Sequence, residues 1–144
     1  MERNLALEVV RVTEAAALSS ARWMGLGNAK AADQAAVDAM RRGFDAVSFC
    51  GSVVIGQGER DEAPMLFIGE RIGGGDGAEL DVALDPLEGA DIVAQGRANA
   101  MAVVAISEKG ALCRAPDTYM EKIAVGPRAK GAVDLTLSPA ENLE

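Results

Sequence analysis

The apolar positions of this chain change their spacing about a third of the way along. In residues 3 to 24, Leu5, Val9, Val12, Ala16 and Trp23 share one stripe, while Glu2, Arg3, Glu8, Arg11 and Glu14 fall mostly off it. That spacing predicts an amphipathic helix, ended by Gly25 and Gly27. A second helix is predicted over residues 30 to 46, with Val37, Met40, Phe44 and Val47 three or four apart. Gly43 lies inside it and weakens its last turn.

From there the period becomes strand-like. SFCGSVVIG (48–56) is a β-branched run closed by glycine, and the polar loop QGERDEAP carries the chain to MLFIGERI (65–72), a second strand candidate. After the turn cluster GGGDG, ELDVALD (79–85) alternates: Leu80, Val82 and Leu84 point one way, Asp81, Ala83 and Asp85 the other, until Pro86 stops the ladder. ANAMAVVAIS (98–107) and ALCRA (111–115) are predicted to pair as a hairpin through the EKG turn. YMEKIAVGP (119–127) and GAVDLTL (131–137) are further strand candidates, and Ser138-Pro139 with Glu141 signals a helix start. Helices followed by strands agree with an α+β chain.

Composition narrows the chemistry. The 144 residues supply a core from Val, Leu, Ile, Ala and Met, because 49% are hydrophobic but only five are aromatic. With 22 acidic and 14 basic side chains, the net charge of −8 argues against a nucleic-acid footprint. Arg41-Arg42, the nearest approach to a basic block, reads as a solvated helix end. No apolar run has membrane-spanning length and the N-terminus lacks signal-peptide character, so a cytoplasmic protein is expected. Cys50 and Cys113 are too few for a disulfide framework, and Cys50 is expected to be a buried free thiol. The chain has no histidine. That removes histidine-based triads and nearly every zinc site, and leaves carboxylates, hydroxyls, lysine and hard cations such as Mg²⁺ or Mn²⁺.

The acids then become informative. Stepping back four residues from Val37 places Asp33 on the buried stripe of the second helix, where a carboxylate needs compensation. Glu59, Asp61 and Glu62 occupy the loop leaving the first strand. In LDVALDPLEGAD (80–91), Asp85 ends a strand, Pro86 forces a turn, and Glu88 follows just before Gly89. Two such carboxylates repel unless a positive charge lies between them. A turn opening at Gly89 would offer backbone N–H groups to an anion, so cation and donors together suit a phosphate.

DPLEG resembles the DPxEGT element of the class II, bacterial-type fructose-1,6-bisphosphatases, members of the lithium-sensitive sugar phosphatase superfamily. ALEVVRVTEAAALSSARWMG, AADQAAVDAMR, VVIGQGERDEAPMLFIGE, ANAMAVVAIS, APDTYMEKIAVGP and AKGAVDL are similar to that family in the same order. The resemblance implies an α+β layered sandwich, with two N-terminal helices packed on a mainly antiparallel sheet. It implies metal ligands at Asp33, Gln57, Asp85 and Glu88, and substrate contacts at Glu88, Gly89, Ala90 and Tyr119. Glu59, Asp61 and position 90 are the expected catalytic positions. It further implies Mn²⁺- or Mg²⁺-dependent hydrolysis of the 1-phosphate of fructose 1,6-bisphosphate, and in some members of sedoheptulose 1,7-bisphosphate, in gluconeogenesis or carbon fixation.

Departures from the family pattern fall at the chemistry. Gln57 stands where the family's GEGE loop has a ligating glutamate, and Ala90 stands where the family has a threonine that orients water. Ala29 replaces a lysine, and Lys30, one residue later, is turned by about 100° on a helix. Residues 1–144 correspond to the family's N-terminal metal-binding part, with its C-terminal half absent. Two expectations follow: a metal-dependent sugar bisphosphatase, or a relative that has lost turnover and acts through ligand binding or oligomer contacts. Uncovered apolar faces predict self-association as a homo-oligomer, through either of the first two helices.

Overall fold

The computed structural model describes residues 3–58, 65–115 and 118–143. Helix α1 (Arg3–Ala21) and helix α2 (Ala29–Asp45) lie on one face of a four-stranded sheet: β1 (Cys50–Ile55), β2 (Arg71–Ile72), β3 (Glu79–Glu88) and β4 (Met101–Glu108). A short helix α3 (Ala90–Ala94) follows β3, and a single 3₁₀ turn (Pro127–Ala129) lies in the tail. The strand order is β2-β1-β3-β4, with β1 antiparallel to β2, β1 parallel to β3, and β3 antiparallel to β4. The layered α+β arrangement is therefore present, with two antiparallel pairings around one parallel pairing. Among the described residues no helix is long and apolar enough to cross a membrane.

Both helices form where the apolar spacing placed them. Asn28 caps α2, its side-chain oxygen accepting from the Ala31 N–H at 3.0 Å. Val12 and Ala16 of α1 meet Ala36, Val37, Met40 and Phe44 of α2 over Phe49, Val53, Val82 and Leu84. The Phe44 and Phe49 rings meet edge to face at 5.9 Å. Gly43 does not fray the helix. A Cβ there would come within 3.3 Å of both Val12 methyls, so the glycine is what lets α1 approach α2.

Pro86 does not end β3. The strand runs on to Glu88, but three residue steps on β3, Asp85 to Glu88, oppose two on β4, Val103 to Met101. Pro86 sits inside this bulge, where its missing N–H breaks no ladder bond. The expected strand at 65–72 shrinks to Arg71–Ile72 because Leu66 (φ 57°) and Gly69 (φ 89°) are left-handed and break the pleat.

The expected hairpin is also revised. β4 forms, but residues 111–115 make no strand. The buried Asp81 carboxylate accepts from the N–H groups of Gly110 (2.7 Å) and Leu112 (3.3 Å), which turns the chain away from β4. Asp81 lies on the row opposite Leu80, Val82 and Leu84, and is buried there for this structural task. The described residues of 118–126 and 131–143 form no strand. The helix signal at Ser138 becomes an isolated turn, in which Glu141 Oε2 accepts from the Ser138 N–H and hydroxyl at 2.9 and 2.7 Å.

Candidate active site

Two carboxylates meet where β3 ends, and a third lies near them where α2 begins. Asp33 comes from the first turns of α2, half-buried beside Ala32 and Ala36, and burial raises its pKa. Asp85 is half-buried at the bulge, its Oδ1 accepting from the Leu87 N–H at 3.0 Å, while Glu88 is exposed one residue before the left-handed Gly89. The bend brings the two carboxyl groups within hydrogen-bonding reach, so a protonated Asp85 donates to Glu88. Burial is the largest influence on Asp85 and the Glu88 bond the next. Together with the negative charges of Glu88 and Asp33 they push its pKa up to about 6, against the opposing Leu87 N–H.

Gly89 (φ 95°) opens α3, whose first N–H groups have no intrahelical carbonyl to meet. The loop between α1 and α2 braces this corner: Gly25 and Gly27 donate to the carbonyls of Val93 and Ala94, each at 2.9 Å. The turn is therefore held from two sides.

Gln57 lies two residues beyond β1, half-buried, its N–H donating to the Leu66 carbonyl at 3.0 Å. Since β1 runs parallel to β3 with Ile55 beside Ala83, Gln57 continues toward the end of the sheet that carries Asp85. Ala90 packs its methyl partly against the core. Lys30 is exposed on α2, while Ala29 is partly buried. Tyr119 is fully exposed, so the structure does not bring it to the acidic corner. Glu59, Asp61 and Glu62 lie outside the described residues.

An oxygen-only set of carboxylates, two of which need a proton or a cation between them, fits a hard divalent ion in its donor chemistry. Among the described residues, no three acids are close enough together to hold one ion. The fit therefore rests on the Asp85–Glu88 pair with Asp33 nearby.

Two sequence readings are corrected away from this corner, at the end of α2 and the start of β1. Arg41 is not a solvated helix end: its Nε donates to Glu70 Oε1 at 2.7 Å and it also pairs with Asp45, clamping the 65–70 segment onto α2. The other Glu70 oxygen is buried without a partner. Cys50 is a free thiol as expected but only half-buried, its Sγ donating to the Gly75 carbonyl at 2.9 Å; Cys113 is free and exposed. Buried Asp81 and half-buried Glu70 were the acids that sequence reasoning missed. The one available signal was Asp81, an acid between Leu80 and Val82 in an otherwise apolar run.

Compared with known families, residues 3–144 match "Bacterial fructose-1,6-bisphosphatase, glpX-encoded". The chain is 54% identical over 143 residues to fructose-1,6-bisphosphatase 1 class 2 of Escherichia coli K12, covering 99% of this chain and 43% of that protein. It is 51% and 49% identical over 156 residues to the D-fructose 1,6-bisphosphatase class 2/sedoheptulose 1,7-bisphosphatases of Thermosynechococcus vestitus and Trichormus variabilis, covering 100% of this chain and 45% of each. The chain thus spans less than half the length of the curated relatives it matches.

Proposed function

The chain belongs to the glpX-encoded bacterial fructose-1,6-bisphosphatase family, and on that premise we propose that it carries the cation- and phosphate-binding corner of a sugar bisphosphatase. The reaction is hydrolysis of the 1-phosphate of fructose 1,6-bisphosphate, with sedoheptulose 1,7-bisphosphate as the second substrate suggested by the relatives' names. A role in gluconeogenesis or carbon fixation, in the cytoplasm, goes with that reading. The observation that carries it is the Asp85–Glu88 pair bent together at the end of β3 with Asp33 nearby.

Asp85 and Glu88 would hold Mg²⁺ or Mn²⁺ between them, with Asp33 adding negative charge nearby and the Gln57 side-chain oxygen as a neutral ligand. Such a cation supplies neutralisation of the phosphate and a more acidic water. The backbone of residues 89–91 donates to phosphate oxygens, and the bulge keeps Asp85 and Glu88 on one rim. Ala90 has no hydroxyl to orient water, and Gln57 brings no charge to the ligand set. Those two residues favour a second reading, in which this chain binds cation and sugar phosphate without turning it over.

Titration of Mn²⁺ into the metal-free chain, followed by calorimetry, tests the proposal. Saturable binding that disappears in Asp85→Ala supports the site. A folded chain that takes up no Mn²⁺ refutes it, and its acids are then a remnant.

A further inference from the structure

Gln57 and Arg41 are joined by a continuous row of contacts. The N–H of Gln57 donates to the Leu66 carbonyl at 3.0 Å, and the N–H of Ile68 donates to the Gly58 carbonyl at 2.9 Å. Further along, Gly69 donates to the Val53 carbonyl at 2.8 Å and Val53 to the Glu70 carbonyl at 3.0 Å. Residues 66–70 therefore run beside residues 53–58, and the Glu70 side chain ends the row on Arg41.

The row is tight and strained at the Gln57 end. Leu66 is fully buried with a φ of 57°, a conformation that costs a residue with a side chain. Its carbonyl comes so close to Gly56 that a Cβ there would strike it, so position 57 follows wherever Leu66 goes. Apolar packing holds Leu66 in the core but sets no direction. Direction comes from the other end, where the charged hydrogen bond from Arg41 orients the Glu70 carboxylate. With side chains 24% and 13% exposed, the pair is little screened by salt. Arg41 lies eight residues beyond Asp33 on α2, about 12 Å along the axis. It reaches the acidic corner through this segment.

We propose that Arg41 is a positioning residue for the cation corner: through Glu70 it holds residues 66–70 in the conformation that directs Gln57 toward the Asp85 end of the sheet. The inference rests on the reading of Gln57 as a ligand.

Amide hydrogen exchange and Mn²⁺ calorimetry on the 144-residue chain test it together. Arg41→Leu should speed exchange of the Gln57 and Ile68 amides roughly tenfold and leave the β3 amides unchanged. The double variant Arg41→Leu/Glu70→Met removes the stranded charge, so the melting temperature should recover. Exchange at Gln57 should stay fast in it, because an apolar contact fixes no direction. Asp45→Ala, which removes the other partner of Arg41, should leave both amides as they were. Mn²⁺ affinity should fall roughly tenfold in Arg41→Leu, and not at all when the same substitution is made in Gln57→Ala. Unchanged exchange in Arg41→Leu overturns the proposal, as does a double variant that restores exchange along with stability. Asp45→Ala reproducing the effect overturns it too, and so does an equal loss of affinity with and without Gln57. A folded chain that takes up no Mn²⁺ refutes the cation corner, and the hold on Gln57 then stands or falls on the exchange rates.

Discussion

Asp85 and Glu88 face each other across the bulge that Pro86 opens in β3, close enough for one proton to bridge them. The relationship is made by the backbone. Without the extra residue in β3, residues three apart in a strand would point to opposite faces of the sheet.

That proximity makes the stability of the metal-free chain depend on pH. The folded pKa of Asp85, about 6, lies above the unfolded value of about 4. Its contribution is therefore fully present below pH 4 and lost as pH rises through 6. Roughly 1 kcal/mol is expected to disappear across that window, after discounting for partial solvent screening. Asp85→Asn should flatten the profile and raise the neutral-pH melting temperature. An unchanged slope between pH 4 and 7 in the variant would place the titrating group elsewhere.

Gly89 holds the turn in a left-handed conformation, and an added Cβ would meet Ile92 Cδ1 at 2.9 Å. Gly89→Ala is expected to cost about 1–2 kcal/mol in denaturant unfolding. It should also weaken Mn²⁺ uptake by more than an equally destabilising substitution in α1, because it displaces Glu88.

Asp81 is buried and accepts two N–H groups from the chain leaving β4. Asp81→Ala strands both donors and should cost about 2–3 kcal/mol. Asp81→Asn keeps an acceptor oxygen and should recover part of the loss. Equal stability of the two variants would show that the acceptor is not what matters.

The Arg41–Glu70 pair offers a different contrast. Arg41→Leu leaves a carboxylate that is 13% exposed without its cation, at a cost of about 2 kcal/mol. The double variant Arg41→Leu/Glu70→Met removes the stranded charge and should regain most of that stability. A double variant less stable than Arg41→Leu would refute this account.

Much of the frame was legible because it depends on local spacing. Val37, Met40 and Phe44 fix the buried face of α2, and the same period places Asp33 on its edge. What spacing could not convey was pairing. Ile123, Val125, Leu135 and Leu137 alternate like strand residues, yet they are exposed and no ladder forms, because alternation does not specify a partner strand. Pro86 reads as a stop only if every ladder position needs an N–H, and a bulge supplies one that does not. Asp81, Arg41 and Glu70 were missed for a related reason: their partners are 29 to 31 residues away in the chain. At the candidate site, Asp85 and Glu88 lie within reach of each other and the charge of Asp33 is felt at Asp85, whereas Tyr119 remains in solvent.

Gln57 gives the sharpest test of the ligand set. It continues β1 toward the end of the sheet that holds Asp85, and a carboxylate there would add a fourth negative charge to Asp33, Asp85 and Glu88. Cation affinity rises with carboxylate charge, so Gln57→Glu should tighten Mn²⁺ binding roughly tenfold. The same charge should lower the melting temperature of the metal-free protein at neutral pH, since nothing then offsets the added repulsion. These opposite signs, tighter binding with a less stable apo form, separate a ligand position from a surface position. Ala90→Thr alone should leave Mn²⁺ affinity unchanged. Release of phosphate from fructose 1,6-bisphosphate by the combined variant would show that these two residues, rather than the length of the chain, had silenced turnover. Tighter binding without phosphate release would favour the binding-only reading.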